Sequence, residues 1–219
     1  MSEGLRERKK RQTRQRITEV ATGLFVERGF EQVTIAEVAA AAEVSVNTVY
    51  NYFQAKEDLV LPPEEASPQR LADMVRQRRP GESAAHAIVR CLRDEARRRD
   101  RKLGLTRGFG RVFDMMRGSP TLTARLEALG QEMTGALAAV LAEETGAAPD
   151  DLLPRVIAYQ LGCMHSLVYA EIGKRVAAGE DFDSIAEATL DLLDAVEDVL
   201  GERVLNYAVR NARPAPRPE

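Results

Sequence analysis

Tryptophan is absent from this 219-residue chain, aromatic residues make up only 5% of it, and histidine and cysteine occur twice each. Two cysteines, Cys91 and Cys163, are too few for a disulfide framework and lack metal-ligand spacing, so no metal is expected. Alternating runs rich in Val, Ile and Thr are missing, which argues against a sheet protein. The longest run without a charge, Val156–Ala170, has 15 residues and still contains Gln160, His165 and Ser166. A membrane span needs roughly 20 mostly apolar residues, so this run is expected to be a buried helix. The N-terminus is polar and basic, without the apolar stretch of a secretory signal, and a cytoplasmic location is expected. No Gly-rich phosphate loop, Gly-x-Ser-x-Gly or His-Glu-x-x-His occurs. Cys163 and His165, two positions apart, would face different sides of one helix and make a poor nucleophile–base pair. The chain is therefore not expected to be an enzyme, and no cofactor is implied.

What is present favours helix. Apolar residues reach 44% and charged residues 30%, and Ala, Leu, Arg and Glu dominate, residues that lose little entropy in a helix. The fold class expected is all-α. The net charge of −3 hides an asymmetry: residues 1–56 hold nine Lys and Arg against seven Glu, and seven of those nine precede position 17. A basic head on an acidic body suggests an anionic partner at one end.

Residues 1–12 read as a flexible basic arm. From Thr13 to Arg28 the apolar positions Ile17, Val20, Ala21, Leu24 and Phe25 form the stripe of an amphipathic helix that Gly29 ends. Thr34 and Glu37 make a capping box opening a short helix with Ile35, Val38, Ala39 and Ala42. A tight corner at Glu43–Val44 leads to a second short helix, with Ser45 as N-cap, running to Tyr52. Three helices with the last two short and joined by a tight turn make a helix-turn-helix signature. The outward residues Val46, Asn47, Thr48, Tyr50, Asn51 and Tyr52 include no carboxylate, which suits a surface facing DNA. Lys56 is expected to start a further helix. Pro62 and Pro63 mark a linker over 61–68, followed by helices at about 69–78, 82–101, 105–117, 121–145, 153–178 and 183–201.

The stretch from Phe30 to Ala39 and the stretch from Val44 to Leu59 closely resemble the TetR family of bacterial repressors. The resemblance covers about residues 8–60. It implies a DNA-binding domain over 13–60 and a helical effector-binding and dimerisation domain over 61–205; the tail over 206–219, with Pro214, Pro216 and Pro218, is expected to be disordered on its own composition. The resemblance also implies that Val46, Asn47 and Tyr50 approach base edges, that Thr48, Tyr52 and Lys56 meet phosphate, and that Thr34 lies where the second helix's N-terminus meets phosphate. Ser45 and Asn51 complete the expected DNA-binding set. Val46 cannot hydrogen-bond and would touch a thymine methyl. The family commonly has Gly where this chain has Glu43; if that position needs positive φ, Glu carries a penalty that Gly avoids.

In the body, two apolar helices at about 153–178 and 183–201 are expected to form a homodimer interface. An effector pocket is expected among His86, Phe109, Phe113, Met116, Met133, Tyr159, Met164 and His165, because Met and aromatic side chains suit adaptable pockets. A Met and aromatic stripe at helical spacing also suits plain core. The function expected is a one-component transcriptional repressor that binds a near-palindromic operator as a dimer and is released by a small-molecule effector. The alternatives are a constitutive architectural dimer without effector and a helical protein-interaction adaptor.

Overall fold

A computed structural model describes residues 4–60, 67–106 and 108–210. The described residues form helices joined by turns, with no strand among them. They divide into two compact units: one comprises the N-terminus to Ala66 together with Arg111–Glu127, and the other Ser67–Gly110 with Ala128 to the C-terminus. Among the described residues no helix is long and apolar enough to cross a membrane.

In the first unit, α1 (Leu5–Arg28) is followed by α2 (Ile35–Ala41) and α3 (Val46–Tyr52). Ile17, Ala21 and Phe25 of α1 are fully buried, with Val38, Ala39, Ala42, Val49 and Phe53 closing the small core they share. Val20 and Leu24, expected in the same stripe, are half-buried at its margin. Phe25 and Phe30 pack with ring centroids 5.0 Å apart, so the chain turns between α1 and α2 around an aromatic pair. Residues 5–12 are helical, which corrects the expectation of a flexible arm. Lys, Arg, Gln and Glu are good helix formers, and this segment extends α1 with solvent-exposed side chains at 7–12. Lys56 starts no long helix: a single 3₁₀ turn, Glu57–Leu59, follows it, closed by the Asp58 carboxylate accepting from the Ala55 N–H at 3.1 Å. The linker expected at 61–68 lies outside the described residues from 61 to 66. The remaining chain of this unit comes from α6 (Phe109–Gly118) and the first turns of α7 (Pro120–Thr145).

The second unit contains α4 (Arg70–Arg76), α5 (Ala84–Arg98), the rest of α7, α8 (Leu153–Ala177), α9 (Phe182–Val199) and the short α10 (Glu202–Leu205). α9 packs along both α5 and α8, and Ile88, Leu92, Leu137, Leu141, Ile157, Leu161, Ile185 and Leu193 fill the space between helices. The uncharged run Val156–Ala170 lies wholly within α8, as expected of a buried helix, though one of its faces is exposed. Residues 206–210 are not a disordered tail. Gly81 N–H donates to the Arg210 carbonyl at 2.7 Å, Arg210 N–H donates to Glu82 at 3.0 Å, and Ala84 N–H donates to Tyr207 at 3.2 Å. Arg78, itself buried, donates to the Ala208 carbonyl at 3.1 Å. These are mostly backbone bonds, which leave no pattern in side-chain chemistry. The rest of the expected tail, 211–219, lies outside the described residues.

At Gly110 the first turn of α6 runs against the end of α8. A Cβ added there would stand 2.8 Å from the Val176 carbonyl oxygen and 2.9 Å from the Ala177 Cα, both backbone atoms that no rotamer change can move aside. Gly110→Ala is therefore expected to destabilise the second unit by about 2 kcal/mol, the scale of overpacking in a filled core. Urea denaturation of the variant checks this, and an unchanged midpoint would contradict the close approach.

Candidate functional site

The first candidate is the outer face of α3. Its seven residues begin with Ser45 as N-cap: the hydroxyl accepts from Thr48 N–H at 3.0 Å and shares a second hydrogen with Thr48 Oγ1 at 2.8 Å. Val49 and Phe53 point into the core, which leaves Val46, Asn47, Tyr50 and Asn51 exposed and Thr48 and Tyr52 half-buried at the edge. Tyr50 is 53% and Val46 40% exposed, so this is a surface of large side chains without a packing partner in its own unit. The expected set is thus held on one short helix, apart from Thr34 and Lys56.

Those two are committed elsewhere. Thr34 caps α2 through a complete capping box: its hydroxyl accepts from Glu37 N–H at 3.2 Å, and its own N–H donates to the Glu37 carboxylate at 2.8 Å. Arg28 donates to the same carboxylate at 2.7 Å. The Thr34 backbone bond first, and the Arg28 guanidinium next, hold the Glu37 carboxyl down to about 2. The Lys56 ammonium donates to the Phe30 carbonyl at 2.5 Å and sits 4.3 Å above the Phe30 ring, within the first unit rather than out toward solvent. A phosphate contact by Lys56 would have to replace that bond.

The corner before α3 has the backbone that the departure at Glu43 raised as a concern. Glu43 has φ 53°, in the left-handed region. Its carboxylate pairs with Arg16 at 2.9 Å, and Arg16 also donates to the Ala42 carbonyl, so one guanidinium of α1 ties down both the corner and its misplaced charge. On the other flank, the Ser119 hydroxyl accepts from Leu122 N–H at the start of α7 and donates to Glu31 at 2.7 Å, holding the Glu31 carboxyl below its usual range. Phe25, Phe30, Glu31, Arg111, Asp114 and Met115 help line a cleft of about 540 Å³ beside this bond.

Residues 17–61 match the family described as bacterial regulatory proteins, tetR family. The HTH-type transcriptional regulator TcmR of Streptomyces glaucescens is 29% identical over 201 residues, covering 90% of this chain and 88% of TcmR. The chain thus resembles TetR-family transcriptional regulators, most specifically over residues 17–61 and more distantly along most of its length. Solved structures of the same fold cover most of this chain. Native NalD of Pseudomonas aeruginosa superposes with a TM-score of 0.54 at 19% identity, covering 85% of this chain and 97% of NalD. SmeT in its triclosan complex gives 0.52 at 20% identity, covering 95% and 100%.

The residues expected to line an effector pocket are distributed over both units. Phe113 and Met116 belong to the first unit, and the other six to the second. His86 is exposed in the first turn of α5, its Nδ1 hydrogen-bonded with the Ser83 hydroxyl at 2.9 Å. Tyr159 is exposed on α8, and Phe109 is half-buried with its ring against Gly104. Met133, Met164 and His165 are buried. His165 keeps company that the expected set omits: its ring lies 4.6 Å from that of Tyr169, which in turn lies 5.8 Å from the guanidinium of Arg70. Arg70 donates to Glu95 at 2.5 Å, with both side chains at most one-tenth exposed. Burial first, and the Arg70 charge second, push the His165 imidazole down to about 3. Two charged residues in polar-looking helices read as solvated surface, which is why the sequence reading passed over them. The four-residue step from His165 to Tyr169 is the one signal that could have pointed there.

A left-handed residue with a Cβ costs roughly 1–2 kcal/mol relative to glycine. Glu43→Gly is accordingly expected to stabilise the first unit by about 1 kcal/mol, read as stronger hydrogen-exchange protection of the α2 and α3 amides. Weaker protection would mean that the Arg16 pair outweighs the backbone strain.

Proposed function

We propose that this chain is a TetR-family repressor that binds a near-palindromic operator as a homodimer, α3 in the major groove, and lets go when a small molecule binds its second unit. The observation that carries the reading is the face of α3: Val46, Asn47, Tyr50 and Asn51 exposed on a helix capped by Ser45 and anchored by Val49 and Phe53. Asn and Tyr can hydrogen-bond base edges in the major groove, and Val46 supplies an apolar contact for a thymine methyl. Thr48, Tyr52, Thr34, Ser45 and Lys56 are assigned to the phosphate backbone, which positions the helix without reading sequence. The exposed Lys and Arg of the first turns of α1 add counterion release and hence salt dependence.

The dimer is assigned to α8 and α9. Leu152, Val156, Tyr159, Cys163 and Leu167 recur every three or four residues along one exposed face of α8, and Val199 of α9 is 85% exposed. A continuous apolar seam on a long helix fits the isologous contact of a twofold dimer. Two heads related by that axis would read half-sites about one helical turn, ~34 Å, apart. A ligand shifts such a regulator only by its differential affinity for the operator-competent and released states. That SmeT, a protein of this fold, is described in complex with triclosan supports a small molecule as the effector.

Selection of bound duplexes from a random pool, with the purified protein at a stated salt concentration, tests the reading. Enrichment of an inverted repeat is the expected result, and no enrichment by folded protein would remove the operator role. On the selected sequence, Tyr50→Ala should cost about 1–3 kcal/mol while leaving binding to random duplex nearly unchanged; equal losses on both would take Tyr50 out of base reading. Leu167→Glu places a charge in the seam and should give a monomer by sedimentation, with affinity lost on the full repeat and retained on a half-site. A Leu167→Glu dimer of wild-type strength would move the interface elsewhere.

A further inference from the structure

Arg70 of α4, Glu95 of α5, and His165 and Tyr169 of α8 meet inside the second unit. Arg70 and Glu95 neutralise each other, so the cluster carries no net charge. The phenol of Tyr169 donates to the Lys102 carbonyl at 3.0 Å, which fixes its ring between the Arg70 guanidinium and the His165 imidazole. Two polar atoms of the cluster are nevertheless without a hydrogen-bond partner among the described residues, although fully buried: Arg70 Nε and His165 Nε2. His165 is 7% exposed and Arg70 10%. Buried donors and acceptors are almost always paired, because an unpaired one forfeits its bond to water without recompense. Two such atoms lie in one cluster, beside two aromatic rings tilted 35° to each other.

We propose that this cluster is the recognition point for the effector, and that the effector is an uncharged ring compound that presents an acceptor oxygen to Arg70 and a hydroxyl to His165. The proposal rests on the effector reading above and names its chemistry. Arg70 Nε–H can only donate, so it selects an acceptor oxygen. His165, buried and neutral, offers Nε2 to a neighbouring hydroxyl. The ring lies against the His165–Tyr169 pair, where offset stacking adds attraction. An anionic ligand would be repelled by Glu95, whose carboxylate already holds the Arg70 charge, and a cationic one would meet Arg70. Three helices contribute, so an occupied cluster would draw α4, α5 and α8 together.

The protein has only two histidines, so ¹⁵N-histidine labelling yields two imidazole signals, with surface-exposed His86 as internal control. The full-length dimer is titrated with 2-hydroxyacetophenone, with salicylate, which has the same oxygen spacing but a charge, and with benzylamine. The expected result is a saturable shift of the His165 nitrogens by 2-hydroxyacetophenone, His86 unmoved, and at least tenfold weaker binding of salicylate and benzylamine. Arg70→Met with Glu95→Gln removes both charges at near-constant volume, which avoids stranding a lone buried charge. This double variant should keep its thermal midpoint and lose at least tenfold in affinity. His165→Phe, which keeps the aromatic ring and removes both nitrogens, should lose affinity as well. No saturable shift, salicylate binding as tightly, or undiminished binding by the double variant would overturn the proposal, leaving buried water as the partner of both atoms. Fluorescence anisotropy on the selected operator separates the two layers. Release of operator by some other compound from wild type and double variant alike would leave the effector reading standing and sink this site. Occupation at His165 with the operator still bound would keep the site and remove its effector role.

Discussion

A helix of seven residues has too few internal hydrogen bonds to offset the cost of its first turn, and in water it does not persist. α2 and α3 are both that short, and α3 carries the face proposed to meet DNA. Everything else in the first unit can be understood as supplying what they lack. The buried stripe Ile17, Ala21 and Phe25 of the much longer α1 gives them an apolar floor. Thr34 with Glu37, and Ser45 with Thr48, satisfy the N–H groups that short helices leave bare in greatest proportion. Arg16 holds the corner between them, and Lys56 holds the corner before them. The reading surface is rigid because α1 is long, not because α3 is strong.

The second unit solves a different problem. Its larger helices are long enough to be stable once packed, and its core is conventional except where charge is buried: at Arg78, and where the Arg70 guanidinium, the Glu95 carboxylate and the His165 imidazole lie together. Aliphatic side chains of the same volume would often be at least as stable as a buried ion pair. A core that keeps the polar version, with atoms left over, is specified for something other than stability. That distinction separates the two halves: the first spends its polar groups on completing short helices, while the second keeps some uncommitted.

The elements readable in the sequence were those whose cause is local. The capping box at Thr34, the cap at Ser45, the stop at Gly29 and the stripe of α1 are set by residues a turn apart, and the positive φ at Glu43 followed from comparing one position with the family pattern. The early start of α1 at Leu5 had no such mark, because a helix exposed all round has no apolar period to detect. Arg70, Glu95 and Tyr169 were missed for the converse reason. Burial of a charge depends on residues that meet it only in the fold, so Arg70 looks no different in sequence from the exposed Arg76 six residues later in the same helix. The helix expected to start at Lys56 is only a 3₁₀ turn, and which way the Lys56 ammonium turns is decided by the Phe25–Phe30 pair 26 residues and more upstream.

The bonds made by Arg210, Ala208 and Tyr207 close on residues near the beginning of the second unit; the Arg78–Ala208 pair is separated by 130 positions. Protein synthesis delivers those closing residues after every helix they fasten. Until they leave the ribosome, the turn between α4 and α5 has backbone N–H groups at Gly81 and Ala84 waiting for partners, and the buried guanidinium of Arg78 lacks one of its carbonyls. The first unit needs only α6 and the start of α7 beyond the head, so it can settle while the chain is still being made. The part proposed to touch DNA is thus available earlier in the life of each molecule than the part proposed to hold the effector.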